Sequence, residues 1–346
     1  MEKIQCQIVE YAPVLITTCN RYNHLKKSID ALKKCKHAEN TELYISVDYP
    51  PSDSYVEGYN KNIEYLSNKI DGFKEVFIIY HNENVGVFEN SEFLIDLVRS
   101  KGYNYFIFLE DDLVVKPAFL DFMNKCFEYF KYDKNVVGVH ASGGNLISQT
   151  HGCNTIYAHY GACQGWFTEK RNVVKERVNN NYLLDILLDK NKRRKLKSIS
   201  KQVFSHCVTV ALALDPKLRN KDGTVALIDY CCTIYNLMEG RYSIASLQSL
   251  IENNGLDGSG IHSGCGVNEL QFGYYEENEI DIAVLERDVC FREETMLYDR
   301  EKVDIKYYVK CCICVFVLSR FGEKIARKVW FMMEFVSRVR PRFSDR

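Results

Sequence analysis

Three consecutive carboxylates, Glu110-Asp111-Asp112, follow the apolar run Tyr105–Leu109 and precede Leu113-Val114-Val115-Lys116-Pro117. Such a run delivers acidic side chains to the end of a β-strand, where alternation puts Glu110 and Asp112 on one side and Asp111 on the other. Two carboxylates about 6 Å apart repel by roughly 3 kcal/mol at an effective dielectric of about 20. A hard divalent cation, Mn2+ or Mg2+, removes that penalty, because it takes oxygen ligands and is often held by one or two carboxylates plus phosphate oxygens. Held there, it neutralises charge on a departing diphosphate. The plainer reading is a solvated acidic turn before the helix that Pro117 begins.

The elements that must position these groups are legible in the first half of the chain. Val14–Thr17, Leu43–Val47, Val76–Tyr80 and Tyr105–Leu109 read as strands. Tyr22–Lys34, apolar at Leu25, Ile29 and Leu32, has a helical period. A second helix starts at the capping residues Ser52–Ser54 and runs toward Ile70, a third covers Glu89–Arg99, and a fourth follows Pro117 through Phe130. This alternation predicts an α/β fold with a mostly parallel sheet flanked by helices. Ligands of such sheets gather beyond the carboxyl ends of the strands. That rule collects Thr18-Cys19-Asn20-Arg21, Asp48, the Asn82–Gly86 turn and the acidic triplet into one candidate site. Beyond Val136 the pattern loosens. Helical stretches cover Asn172–Leu188 and Leu227–Met238, Asn191–Lys197 is basic, and Asn253–Gly266 is a loop rich in Gly, Asn and Ser.

The composition is that of a globular protein: 46% hydrophobic, 26% charged, and a net charge of -1 over 346 residues. This excludes wholesale disorder and any global attraction for nucleic acid. The 14 cysteines fall singly or in adjacent pairs such as Cys231-Cys232 and Cys311-Cys312, without zinc-site spacing. They read as small buried hydrophobes in a reducing compartment. The N-terminus has no signal-peptide core, and the longest apolar stretch, Cys311–Leu318, is too short to cross a bilayer. The expected location is therefore the cytoplasm. From Val303 onward Lys and Arg accumulate among Phe316, Phe321, Ile325, Trp330 and Phe331. Two readings of this tail stand: a helix lying on the anionic inner face of the cell membrane, or a terminal helix packed on the domain.

The segments PVLITTCNR, SVDYP and FIFLEDDLVVKPAFLDFM, in this order and spacing, resemble the GT-A glycosyltransferases. The likeness is to the family 2-type bacterial enzymes of surface-polysaccharide synthesis and to the N-acetylglucosaminyltransferase I family, and it spans about Pro13 to Gly264. The resemblance implies a GT-A fold over residues 1–300, with a nucleotide-sugar-binding half (1–135) and an acceptor-binding half (136–300), followed by a basic helical extension (301–346). It implies metal-dependent, inverting transfer from a nucleotide-sugar, with UDP as the usual carrier, to a glycan or lipid-linked glycan.

Carried over residue by residue, Arg21 approaches the diphosphate, Asp48 accepts from the base, Glu110 faces the donor sugar, Asp111 the ribose, and Asp112 binds the metal. Asn84 and Gly86 let the backbone approach the donor. Asp229, in Val225–Tyr230, matches the catalytic base, although the tryptophans that accompany it in the family are missing here. Trp166, in Gly161–Trp166, matches the wall of the sugar pocket. His262 lies in a loop resembling one that closes over the donor, where it would be a further metal or phosphate contact. The bland alternatives are a surface Arg21, a capping Asp48, an exposed helical Asp229, a core Trp166 and a solvated His262. Sugar-phosphate nucleotidyltransferases, which share such sheets, need a glycine-rich loop after the first strand, and Ile16–Asn20 has no glycine. A non-enzymatic donor-binding or scaffold subunit remains the other reading.

Overall fold

The structure is a computed structural model that describes residues 7–141, 155–159, 163–212, 228–255, 257, 280, 282–284, 287, 290–291 and 305–339. Its contacts divide the chain into two units that interleave in sequence. The first comprises Met1–Ala158, Cys163–Arg171 and Tyr242–Glu293, and the second His159–Ala162, Asn172–Arg241 and Glu294–Arg346.

The first unit opens with the alternation read from the sequence: β1 (Val14–Thr18), α1 (Tyr22–Leu32), β2 (Glu42–Val47), α2 (Asp53–Leu66), β3 (Glu75–Tyr80), α3 (Val87–Ser100), β4 (Tyr105–Glu110), β5 (Leu113–Val115) and α4 (Phe119–Phe130). Then come β6 (Val136–His140), β7 (Thr155–Ala158) and β8 (Gly165–Phe167), and the chain enters the second unit within α5 (Thr168–Arg177). Every residue of β1 is buried, which explains its unbroken apolar run. On α1, Leu25, Ile29 and Leu32 face the core, as their spacing predicts.

Eight strands form one sheet in the order β3-β2-β1-β4-β8-β6-β9-β7, where β9 is Tyr242–Ser246. The pairings among β1 to β4 are parallel, and β8 and β7 run antiparallel to their neighbours. Register decides what meets at the carboxyl edge. Thr17 lies opposite Glu110, Thr18 opposite Val47, and Val47 opposite Tyr80. Asp111 therefore leaves the sheet level with Thr18, and Asp48 and His81 one residue beyond it. The 3-2-1-4 order places a reversal between β1 and β4, where open α/β sheets bind ligands. Separately, β10 (Ile251–Asn253) pairs antiparallel with β5.

The second unit is helical: α6 (Asn180–Leu188), α7 (Lys190–Ile199), α8 (Lys201–Leu212), α9 (Ile228–Glu239), α10 (Ile305–Phe321) and α11 (Glu323–Val339). The helical stretch expected over Asn172–Leu188 is two helices, because Asn179 caps α6 by accepting from the Tyr182 amide at 3.0 Å. Cys207, Cys231, Cys232, Cys311 and Cys314 are buried on these helices, none of them in a disulfide. Among the described residues, no helix is long and apolar enough to cross a membrane.

Candidate active site

The loop after β1 and the turn after β4 meet through one arginine. Arg21 Nη1 donates to Asp112 Oδ2 at 2.7 Å, and Nη2 donates to Asp111 Oδ1. The Asp111 and Asp112 side chains are 2% and 8% exposed, against 20% for Arg21, so the guanidinium bridges the buried pair to the surface. Thr18 Oγ1 donates to the other Asp111 oxygen at 2.7 Å. Burial pushes the Asp111 carboxyl above its usual range, with Arg21 and Thr18 pulling the other way. Burial also opposes the Arg21 charge, but Asp111 and Asp112 outweigh it and hold the guanidinium cationic. Cys19 sits alongside, its thiol pushed up to about 12 by burial and by the negative Asp48 and Asp111, so it stays protonated and is no nucleophile.

Strict alternation would separate Asp111 from Asp112, and here it fails. β4 ends at Glu110, which is exposed, and the chain turns through Asp111-Asp112 before β5. In a turn, side chains no longer alternate, so both aspartates can point inward to Arg21. Asp112 keeps one oxygen, Oδ1, that is buried and has no hydrogen-bond partner. An orphaned buried carboxylate oxygen is costly unless a cation takes it. This oxygen is a donor that suits Mn2+ or Mg2+, which complete their shells with water and phosphate oxygens. No cluster of three or more His, Cys, Asp or Glu that could hold a metal ion occurs among the described residues.

Further residues, none of them singled out in the sequence, hold this arrangement in place. Asn62 on α2, fully buried, donates to Thr18 Oγ1 at 3.2 Å and to the Cys19 carbonyl at 3.0 Å. Gly58, one turn earlier, lies so close to the same loop that a Cβ would stand 2.1 Å from the Asn20 carbonyl oxygen. From the other side, the Asn254 amide donates to the Asp112 carbonyl at 3.0 Å, and a Cβ on Gly255 would stand 2.1 Å from Asp112 Oδ2. His24 Nε2 lies 3.2 Å from both the Asn254 carbonyl and the Asp257 carboxylate, latching this segment to α1. Gly255→Ala should therefore displace the Asp112 carboxylate, lowering Mn2+ affinity by about tenfold and, because Oδ2 is the partner of Arg21, lowering the melting temperature as well. A Mn2+ titration beside a thermal melt checks this.

Residues 14–176 match the family model described as Glycosyl transferase family 2. That segment, just under half of the chain, is similar to the family 2 glycosyltransferases. The fold of the chain is GT-A-like, a mixed, mostly parallel sheet flanked by helices, with further helices at the C-terminal end. Among solved structures, the chain is similar to a mannosyltransferase from Pyrobaculum calidifontis in complex with GDP-Man and Mn2+, at 11% identity over 40% of this chain and 37% of that one, TM-score 0.28. It is also similar to TarS of S. aureus, at 10% identity over 90% of this chain and 44% of that one, TM-score 0.35. With residues 1–349 of TarS in complex with UDP, identity is 8% over 94% of this chain and 92% of that one, TM-score 0.38. The chain thus spans less than half the length of the first two. No curated protein matches it significantly. Nothing in these likenesses favours the N-acetylglucosaminyltransferase I family.

Within the matched segment, Asp48 is buried and organises the loop after β3. Its oxygens accept from the amides of Tyr49, Val85 and Gly86, each at 2.9 Å, and from Asn84 Nδ2 at 3.0 Å. Those are the lone pairs a nucleobase contact would use. Gly86 caps α3 with φ +89°, a conformation that favours glycine. Asp111 likewise spends an oxygen on each of Arg21 and Thr18, where a ribose contact was expected. Trp166 is a core residue, 4% exposed and opposite Phe106 in the sheet, four positions before Glu110. Asp229 lies in the first turn of α9, and His262 lies outside the described residues.

Proposed function

We propose that this chain transfers a sugar from a UDP-sugar to a hydroxyl of a glycan or lipid-linked glycan, in surface-polysaccharide synthesis, with inversion and with a divalent ion held at Asp112. The observation that carries this reading is the partnerless buried Oδ1 of Asp112, set beside Arg21 in the segment that matches family 2. Arg21 retains N–H donors beyond those it gives the two aspartates, and its partial exposure lets them reach a diphosphate. In the reaction, the bond from the anomeric carbon to the diphosphate oxygen breaks, the acceptor oxygen bonds to that carbon, and the acceptor proton passes to a base. Asp229 is our assignment for that base. The ion, when bound, supplies Lewis-acid stabilisation of the leaving diphosphate.

A panel of nucleotide-sugars, screened with Mn2+ for thermal stabilisation and then for donor hydrolysis, tests the reading. Stabilisation by a UDP-sugar with metal-dependent hydrolysis is the expected result. Binding without turnover would make the chain a donor-binding subunit instead. Asp229→Asn should lower turnover by about a hundredfold and leave UDP affinity unchanged. Full turnover in that variant would place the base elsewhere.

A further inference from the structure

The two C-terminal helices are apolar on faces that the second unit does not cover. On α10, Cys311, Cys314, Val315 and Leu318 are buried. Ile305, Val309, Ile313 and Phe316 recur at helical spacing on the opposite side, and they are 73%, 48%, 43% and 59% exposed. On α11, Ala326 and Trp330 face inward, while Ile325, Phe331 and Met332 face outward. A water-facing helix of a globular protein carries polar residues on that side, so a second apolar stripe marks a surface meant to be covered.

Charge says what covers it. Lys306 and Arg320 flank the exposed stripe of α10, and Lys324 and Lys328 lie among the outward apolar residues of α11. Over residues 305–339 two acidic residues, Glu323 and Glu334, stand against seven Lys and Arg, and Arg327 on its own helix neutralises Glu323 with a 2.7 Å hydrogen bond. An uncovered face that is both apolar and cationic is complementary to an anionic bilayer surface: side chains enter the acyl boundary while lysines and arginines meet the headgroups. Neither helix qualifies as a span, so the pair lies along the surface.

We infer that α10 and α11 form an interfacial docking face for an anionic membrane leaflet. This stands independently of the sugar-transfer reading, because its readout involves neither donor nor metal. The test is sedimentation of the full chain with vesicles of phosphatidylcholine containing about one third phosphatidylglycerol, against phosphatidylcholine alone. The chain should sediment with the anionic vesicles only, and less so as salt rises. Ile313→Ser with Phe316→Ser, and separately Lys324→Glu with Lys328→Glu, should each weaken binding by at least about tenfold with circular dichroism unchanged. Failure to bind anionic vesicles, or binding indifferent to both pairs of substitutions, overturns the inference. So does concentration-dependent dimerisation that the Ile313/Phe316 pair abolishes, which would make a second copy of the chain the occupant.

Discussion

Asp112→Asn should reduce UDP-sugar turnover by about a thousandfold while the protein folds with at least its native stability. The substitution preserves shape and the hydrogen bond to Arg21, since the amide oxygen can accept where Oδ2 does now. What it removes is the negative charge and the anionic oxygen at the position of the partnerless Oδ1. A hard divalent ion binds a neutral amide far less well than a carboxylate, and Lewis-acid stabilisation of a leaving diphosphate contributes several kcal/mol. The same change relieves a buried like-charge neighbour of Asp111. Activity falling together with an unchanged or raised melting temperature is therefore the signature of a metal ligand. Lost activity with a lowered melting temperature would mark Asp112 as structural.

Arg21→Ala should destabilise the protein at neutral pH by about 3–5 kcal/mol, because it leaves two buried carboxylates without their shared cation. The effect carries a pH signature. Burial already raises the Asp111 carboxyl, and losing Arg21 raises it further. A carboxyl whose folded pKa lies above its unfolded value takes up protons on folding, so its penalty is absent at low pH and grows as pH rises through the folded pKa. The gap in stability between Arg21→Ala and the native protein should thus narrow on acidification. Denaturant melts at several pH values measure this, and a gap independent of pH would contradict it. Arg21→Lys should recover only part of the loss, because an ammonium cannot reach both carboxylates with a planar fork.

Much of this site could be read in advance because its parts sit at the ends of strongly patterned elements. Apolar runs and a helical period located β1 to β4 and α1, and the strand-end rule grouped Arg21 with the acidic triplet before any contact was known. Alternation set Asp111 apart from Asp112, and it fails because β4 stops at Glu110 and the chain turns through both aspartates. Asp48 illustrates a second limit. Its loop-building partners come from residues 84–86, more than 30 positions away, and nothing local in Ser-Val-Asp-Tyr-Pro announces them. Asn62 and Gly58 escaped for the same reason, whereas Gly255 falls in the Asn253–Gly266 loop that the sequence marks out. Each serves the site through close approach of backbone segments distant in sequence, which leaves no periodic trace. Trp166 could be read as pocket wall or as core, and only the pairing of β8 with β4 places it in the sheet.

Titrating the native protein with Mn2+ in the presence of UDP, and following the electron paramagnetic resonance signal of free Mn2+, tests the central claim most directly. About one ion per chain should disappear from the free signal when UDP is present, and none in Asp112→Asn. A free signal that the protein leaves untouched, or that the variant depletes equally, would contradict the account.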